Sequence, residues 1–408
     1  MRDQRLDRNP DVIIIGAGAS GMIASVKAAE RHKTVLVLDK NDAPGRKIIA
    51  SGNGRCNIMN SGVPRYYGDK EFAGNVLKHS TFEDIRQFFQ QYGLMFASEN
   101  EGRIYPSTFQ SASVLSVLKN AMGINGVQLK TNTTVSSVFH HNDVFTVTDT
   151  NGNSWQTGRL IVSCGSPAQP KLGGTDNGYD FLRKMGHQII PAAPSLVPLC
   201  TDKKSVSGLS GIRVRGKVSL YDHDQLLHSE EGEILFTEYG ISGICVMQCS
   251  RFVRGNSCCL TVSFLHGYYE SPEAFYRELK RRQEMYREYS PVSLLDGVVV
   301  SRIAYAVMKQ AGVPMKGEKA GDLPDDLLKA VAESAFRYRI RIEGTRGFDF
   351  AQVAAGGADC REFDPCTMES KFVPGLFATG EVLNVDGDCG GFNLMFAFSS
   401  GLSAGKSV

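Results

Sequence analysis

The sequence predicts an α/β fold: a parallel-sheet domain assembled from both chain ends and interrupted by an inserted region, β-rich at first and then helical. Three observations predict it. The apolar run Asp11-Val-Ile-Ile-Ile enters the turn Gly16-Ala-Gly18-Ala-Ser-Gly21, and a second run, Thr34-Val-Leu-Val-Leu, ends in Asp39. Glycine turns and short apolar runs return near Phe348 and continue to Gly405. Between these ends, glycine-punctuated strand patterns give way to helical ones.

Residues 11–15 and 34–38 read as buried strands joined by a helix from about Ala19 to Arg31. Strand, glycine turn, helix, strand and acid make up a dinucleotide-binding βαβ unit, so the first domain is Rossmann-like. Gly16 permits the turn, Gly18 lets the backbone approach a pyrophosphate, and Gly21 lets the helix pack on the strand. The helix start, with Ala19 and Ser20, offers N–H groups to the phosphates. Asp39 is placed to accept hydrogen bonds from a ribose, and Lys40 beside it joins the predicted cofactor contacts.

Residues 41–68, rich in glycine, asparagine and serine, read as a long loop. Residues 71–93 and 110–121 carry apolar side chains at three- and four-residue spacing and read as helices. From Val127 to Val162 the pattern alternates, broken by Asn142-Asp and Asn151-Gly-Asn, which predicts a small β-meander leading into Leu160-Ile-Val-Ser. The first part of the domain is expected over 1–193 and its second part over 346–408. The inserted region, 194–345, divides into a β-rich stretch, 194–267, and a helical one, 268–345, with helices from Glu273 to Tyr289, Val298 to Ala311 and Asp325 to Phe336.

A chain of 408 residues suffices for two or three domains with a large core. Its net charge of +2 gives no electrostatic case for nucleic acid or a membrane surface. Lys280-Arg-Arg282 reads as a solvated helix face. No apolar run approaches the length of a membrane span, and the start, Met1 to Pro10, lacks the apolar core of an export signal. The ten cysteines include no CxxC pair and no zinc-ligand spacing. Reduced thiols, no metal site and a cytoplasmic location are therefore expected. A dithiol–disulfide reductase is argued against on the same ground.

The C-terminal segment supplies a second cofactor element. Gly375 to Thr379 reads as a short strand ending in Gly380-Glu381, an acid able to bond the hydroxyls of an extended polyol. Gly390-Gly391 opens a second helix whose first residues, Phe392, Asn393 and Leu394, can face an electron-rich ring edge. The small residues Ala397, Ser399, Ser400, Gly401 and Ala404 allow that helix to pack close to the first. Such a two-ended cradle suits FAD better than NAD and predicts an FAD-binding domain. Neither Gly173-Gly-Thr-Asp-Asn-Gly178 nor Gly387-Asp-Cys-Gly-Gly391 has the spacing of a second dinucleotide fingerprint. NAD(P)H is therefore expected only as a transient electron donor.

The run Pro44-Gly45-Arg46-Lys47-Ile-Ile-Ala-Ser51-Gly52-Asn-Gly54-Arg55-Cys56-Asn57 resembles a signature of the bacterial HI0933-like flavoprotein family. The resemblance continues through Gly102-Arg-Ile-Tyr105-Pro106, Gly232 to Gly243, Thr367 to Lys371 and the Gly380 to Gly405 block. It covers nearly the whole chain. That family includes a bile-acid 3-dehydro-Δ4,6-reductase and an aminoacetone oxidase. The resemblance implies FAD, with contacts at Gly45, Arg46, Lys47, Ser51, Gly52, Gly54, Arg55, Cys56 and Asn57, and further ones at Val135 and Gly165. Glu238 stands where a histidine is common and Ile244 where proline is usual. Ser163-Cys164-Gly165-Ser166, Asn384 and Met395-Phe396 depart from the pattern as well. These changes leave the substrate pocket open.

In a flavoenzyme the protein supplies orientation and electrostatics. The loop Ser51 to Asn57 is expected along the flavin. Arg55 is a candidate for stabilising negative charge on reduced flavin or substrate oxygen, or else a structural contact. Lys47 is a cofactor contact or a surface ion pair, and Tyr105 is a candidate proton donor or a packing residue. Cys56 reads as an apolar filler rather than a nucleophile. His187 reads as a helix C-cap. The reading implied by the resemblance is NAD(P)H-driven hydride transfer through flavin to a conjugated enone such as a 3-oxo-Δ4 steroid. The alternatives are an oxidase of a small amine and a flavin-binding protein with a sensing role. The expected partner is a small molecule, with neither nucleic acid nor membrane, and the oligomeric state is left open.

Overall fold

Short runs of β-branched residues and leucine set the central sheet. In the computed structural model, which describes residues 9–253, 255 and 257–408, Val12–Ile15 (β1) and Val35–Leu38 (β2) are strands buried on both faces. Gln128–Lys130 (β3), Leu160–Val162 (β4) and Leu376–Ala378 (β5) complete a sheet in the order β5-β4-β1-β2-β3. Every pair in it is parallel, with Ile14 level with Val37 on one side and Ile161 on the other. Double burial is why β1 and β2 read as unbroken apolar runs rather than alternating ones. Because β5 comes from the C-terminal segment, the sheet is completed only by both chain ends. The residues on which the export-signal reading chiefly rests, 1–8, lie outside the described residues.

Helix Ala19–Glu30 (α1) follows the glycine turn, and Phe392–Ser407 (α2) packs against it. A Cβ on Gly401 would lie 2.4 Å from the Ser20 carbonyl oxygen, and one on Gly405 2.5 Å from that of Ala24. The small residues of α2 are thus what the close approach requires.

Several local expectations are corrected. The 71–93 stretch is two helices, Lys70–His79 and Phe82–Gln91, because Thr81 and Asp84 form a capping box that starts a new helix. The 41–68 segment is not all loop: it holds the helix Arg46–Ala50 and the strands Met59–Asn60 and Tyr66–Gly68. The latter pairs with Val385–Gly387, a partner too distant in sequence to be foreseen. The meander is confined to Val135–His141, Val144–Asp149 and Ser154–Thr157, since the flanking runs join the main sheet. His187 caps the helix Asn177–Lys184 as expected, through its backbone, whose N–H donates to the Leu182 carbonyl at 3.0 Å. The ring is buried, with Nδ1 2.8 Å from Glu362 Oε2 and Nε2 3.0 Å from Ser370 Oγ.

The chain divides into two compact units, one running up to Pro194 and resuming over Ala351–Val408, the other Ser195–Phe350. In the second, six strands close into a barrel: Leu199–Thr201, Arg213–Asp222, Gln225–Thr237, Gly240–Ser242, Cys258–Ser263 and Tyr338–Thr345. Helices Pro272–Met285, Ser301–Gln310 and Asp325–Phe336 share its apolar core. Residues 338–345, expected within the helical stretch, form the strand that closes the barrel. Buried Tyr338, Ile340 and Ile342 alternate there with exposed Arg339, Arg341 and Glu343, a two-residue period that only a strand satisfies.

Among the described residues no helix is long and apolar enough to cross a membrane, and no three His, Cys, Asp or Glu side chains are grouped to hold a metal ion. No disulfide joins the cysteines among the described residues.

Candidate functional site

The glycine turn leaves the C-terminal end of β1, between β2 and β4, where connections run to opposite sides of the sheet. In open α/β sheets ligands bind at that switch point. A Cβ on Gly16 would lie 2.4 Å from the Ser163 carbonyl oxygen, and one on Gly21 2.0 Å from that of Gly16. Both positions therefore exclude any side chain. At Gly18 a Cβ would meet nothing within 4 Å, so the space beside that glycine is open. The first N–H groups of α1, those of Ala19 and Ser20 among them, have no acceptor within the helix. The Ser20 hydroxyl is engaged with Ser163 Oγ at 3.1 Å.

Asp39 is buried and braces the turn: Oδ2 accepts the Ala17 N–H at 2.7 Å and Oδ1 the Asn41 N–H at 2.8 Å. Each oxygen keeps a second lone pair. Asp39 lines a narrow cleft together with Gly16, Lys40, Val135 and Cys164. Gly165 follows at a φ of 72°. Thr133, Thr175, Asn177 and Phe181 line the same cleft and were not anticipated. The glycine-rich run 173–178 was the available signal, and Lys40 Nζ reaches the Gly174 carbonyl oxygen there at 3.3 Å.

A second group assembles on the 44–57 segment. Gly45 donates its N–H to the Ala17 carbonyl at 2.9 Å, tying the segment to the glycine turn. Arg46 pairs with Asp42 at the surface. Lys47 Nζ lies 2.6 Å from Glu381 Oε2, and Glu381 Oε1 accepts the Ala354 N–H at 3.0 Å. The acid expected to meet a polyol is thus also a tie between chain segments. Gly380, at a φ of 70°, donates its N–H to Ser400 Oγ at 3.0 Å.

From Ser51 the backbone is left-handed at Gly52, Asn53, Gly54 and Cys56, with φ of 55°, 54°, 84° and 56°. For Cys56 that conformation costs roughly 1–3 kcal/mol, strain of a kind concentrated at ligand clamps. Its side chain is fully buried and burial pushes the thiol up to about 11. A thiol kept neutral by burial is a poor nucleophile. The Arg55 guanidinium pairs with Glu99 and lies over the rings of Tyr105 and Phe109, 4.5 and 4.6 Å from their centroids. Tyr105 is buried beside the loop, and a Cβ on Gly52 would lie 3.9 Å from its Cε1. Burial raises the Tyr105 phenol above its ordinary value despite the opposing pull of Arg103 and Arg55.

The start of α2 meets this loop. Gly391 has a φ of 103°, and a Cβ there would lie 2.7 Å from Asn57 Oδ1 and 2.6 Å from the Met59 carbonyl oxygen. Asn60 Nδ2 donates to the Gly390 carbonyl at 2.8 Å. The Asn393 amide folds back onto both backbone groups of Gly387 at 2.8 Å and clasps that turn. The N–H groups of Phe392, Asn393 and Leu394 stand in the helix's first turn, where the helix itself offers no acceptor.

The residues present fit an extended dinucleotide. Asn57 Oδ1, Tyr179 Oη and Thr379 Oγ1 are buried without a hydrogen-bond partner, and buried polar atoms are normally paired. Asn57 belongs to the left-handed loop, and Thr379 immediately precedes Gly380-Glu381. With the open space at Gly18, they mark polar positions for a ligand running from the glycine turn towards α2.

Residues 10–407 match the family model described as the HI0933-like protein Rossmann domain. The chain is 34% identical to the 3-dehydro-bile acid delta(4,6)-reductase of Clostridium scindens, over 97% of this chain and 98% of that one. It is 27% identical to the ribosomal RNA dihydrouridine synthase of Escherichia coli, over 98% of each. It is similar in fold to the open conformation of a flavocytochrome c3 fumarate reductase, with a TM-score of 0.50, 14% identity and coverage of 98% of this chain and 78% of the other.

Proposed function

The chain belongs to the HI0933-like flavoprotein family, a family of flavin-dependent oxidoreductases, and from that premise we propose that it binds FAD, is reduced by NAD(P)H, and reduces a carbon–carbon double bond conjugated to a carbonyl. The observation that carries the reading is the meeting of the left-handed Ser51 to Asn57 loop with the start of α2 around the unpartnered Asn57 Oδ1. When bound, FAD supplies the two-electron chemistry. The chain's own residues hold and protonate. Gly18 admits the pyrophosphate to the start of α1, and the Asp39 cleft takes the adenosine end. Lys47 and Glu381 fix the loop against the strand end that bears Thr379.

Tyr105 is the proposed acid. A phenol raised by burial keeps its proton through the neutral range and can deliver it to the carbon that does not receive hydride. Arg55, held by Glu99 and stacked on Tyr105, orients that ring. The first N–H groups of α2 are placed to stabilise negative charge developing on a carbonyl oxygen.

A small-molecule enone is the favoured acceptor. The 34% relative's name specifies a Δ4,6 reduction of a 3-dehydro bile acid. The relatives named for dihydrouridine supply a second reading, a uracil ring in RNA. Uracil's C5=C6 bond is also conjugated to a carbonyl, so one constellation serves both. The test is anaerobic absorbance of the purified flavoprotein. NADH or NADPH should bleach the flavin, and a 3-oxo-Δ4 steroid should restore it. Restoration by an unmodified ribosomal RNA fragment and not by the steroid selects the RNA reading. Failure of both nicotinamides to bleach the flavin rejects the proposal.

A further inference from the structure

On the barrel unit, Tyr239 and Phe350 hold the Arg346 guanidinium between their rings. Its central carbon lies 4.1 Å from the Tyr239 centroid and 3.8 Å from that of Phe350. The local sequence builds the stack. Glu238 and Tyr239 form the two-residue turn joining Gln225–Thr237 to Gly240–Ser242, closed by the pairing of Thr237 with Gly240. Arg346 directly follows the last barrel strand, and its N–H donates to the Pro198 carbonyl at 3.0 Å. Thr345 Oγ1 accepts the Gly347 N–H at 3.3 Å, Gly347 turns the chain at a φ of 71°, and the Phe350 N–H returns to the Gly347 carbonyl at 3.3 Å. That turn brings the Phe350 ring onto the guanidinium.

Both rings are exposed, Tyr239 by 36% and Phe350 by 49%. Among the described residues the Arg346 side chain has no carboxylate or carbonyl partner, and its contacts are the two rings alone. Arg213 and Arg337 of the same unit are by contrast paired, with Glu233 and Glu333. A guanidinium with both faces covered and its N–H edge free is ordered in advance for a planar oxyanion, which it can take with two parallel hydrogen bonds. Most of the side-chain entropy of binding is already removed. A nucleic-acid backbone requires several cations in register. Here Glu343 and Asp349 flank Arg346 in sequence, and Arg341 stands about 16 Å back along an extended strand. The site therefore matches a single anionic group, with apolar ring surface beside it for the body of the ligand.

We infer that Arg346, clamped by Tyr239 and Phe350, is a binding site for the carboxylate of a small apolar acid. The inference goes beyond the function proposed above and does not rest on it, because the site lies wholly within the barrel unit.

The test uses the full-length flavoprotein and a matched pair of probes, 3-oxochol-4-en-24-oic acid and its methyl ester, with affinities from titration calorimetry. Arg346→Gln is expected to weaken the acid about 10- to 100-fold, the range for losing a charge-assisted hydrogen-bonded pair, and to leave the ester unchanged. Arg346→Lys, which keeps the charge without the fork, should recover only part of the loss, and it serves if the glutamine variant does not fold. Equal weakening of acid and ester, or of neither, overturns the site. So does loss of ribosomal RNA fragment binding in Arg346→Gln with acid affinity intact. Arg346-dependent binding of the acid by a protein that reduces neither probe upholds the site while rejecting the reaction.

Discussion

Lys47 Nζ and Glu381 Oε2 meet at 2.6 Å across 334 residues of sequence. The pair joins the segment that leads into the left-handed loop to the end of β5, and the Ala354 N–H adds a third segment through the other carboxylate oxygen. Because both side chains are partly exposed, Glu381→Gln should cost only about 1 kcal/mol in urea unfolding. Its effect on flavin retention should be larger, since the loop would lose its electrostatic anchor. The ratio of flavin to protein absorbance after desalting measures this. Retention equal to wild type would show that the tie serves stability alone.

Gly18 and Gly21 separate cofactor binding from folding. Alanine at Gly21 would place Cβ 2.0 Å from a carbonyl oxygen, an overlap that costs about 3 kcal/mol or more because backbone must move. Alanine at Gly18 meets nothing within 4 Å, so the melting temperature of the flavin-free protein should stay within about a degree of wild type, as for contact-free substitutions. Its methyl group would instead occupy the approach to the pyrophosphate, and FAD affinity should fall at least tenfold by fluorescence titration. Unchanged affinity would place the phosphates elsewhere.

Tyr105→Phe isolates the proton donor. Burial raises the phenol above its ordinary 10, so the acid form persists as pH rises through neutrality and is lost only beyond pH 10. Wild-type turnover should therefore show no basic limb from this residue between pH 6 and 9. The phenylalanine variant should lose about 100- to 10,000-fold in substrate reduction, the range for a general acid, while NAD(P)H bleaches its flavin at the wild-type rate. A matching loss in both half-reactions would make Tyr105 a packing residue.

What was legible in the sequence was local. The glycine turn, the unbroken runs of β1 and β2 and the helix opened by Gly391 all follow from spacing within about 20 residues. The dual service of Asp39 was not legible, because its bond to Ala17 depends on how two strands lie side by side. Tyr66–Gly68 likewise read as loop because its strand partner, Val385–Gly387, lies at the other end of the chain. The break after His79 was written in the sequence, as Thr81 and Asp84 at capping-box spacing, but the apolar periodicity on either side obscured it. Arg346 carried no signal at all. Its clamp comes from a hairpin and a turn more than 100 residues apart.

Cys56 tests whether the loop acts through its backbone or its side chain. Burial pushes the thiol to about 11 from an ordinary 9.0, so it stays protonated at physiological pH and should resist iodoacetamide while exposed Cys366 reacts. The linkage has a definite sign. The unfolded thiol releases its proton first, so the contribution of the buried neutral form is complete below about pH 9 and is lost as pH rises towards about 11. Cys56→Ala removes the thiol but keeps a Cβ at a φ of 56°, and it should leave flavin reduction by NAD(P)H unchanged. Cys56→Gly relieves the left-handed strain but frees the unfolded chain, effects of about 1 kcal/mol each that nearly cancel, and it also empties the space of a fully buried side chain, so its melting temperature should fall below wild type. Abolished flavin reduction in Cys56→Ala, with FAD still bound, would mean that the thiol takes part in electron transfer and that the loop is more than a shaped backbone.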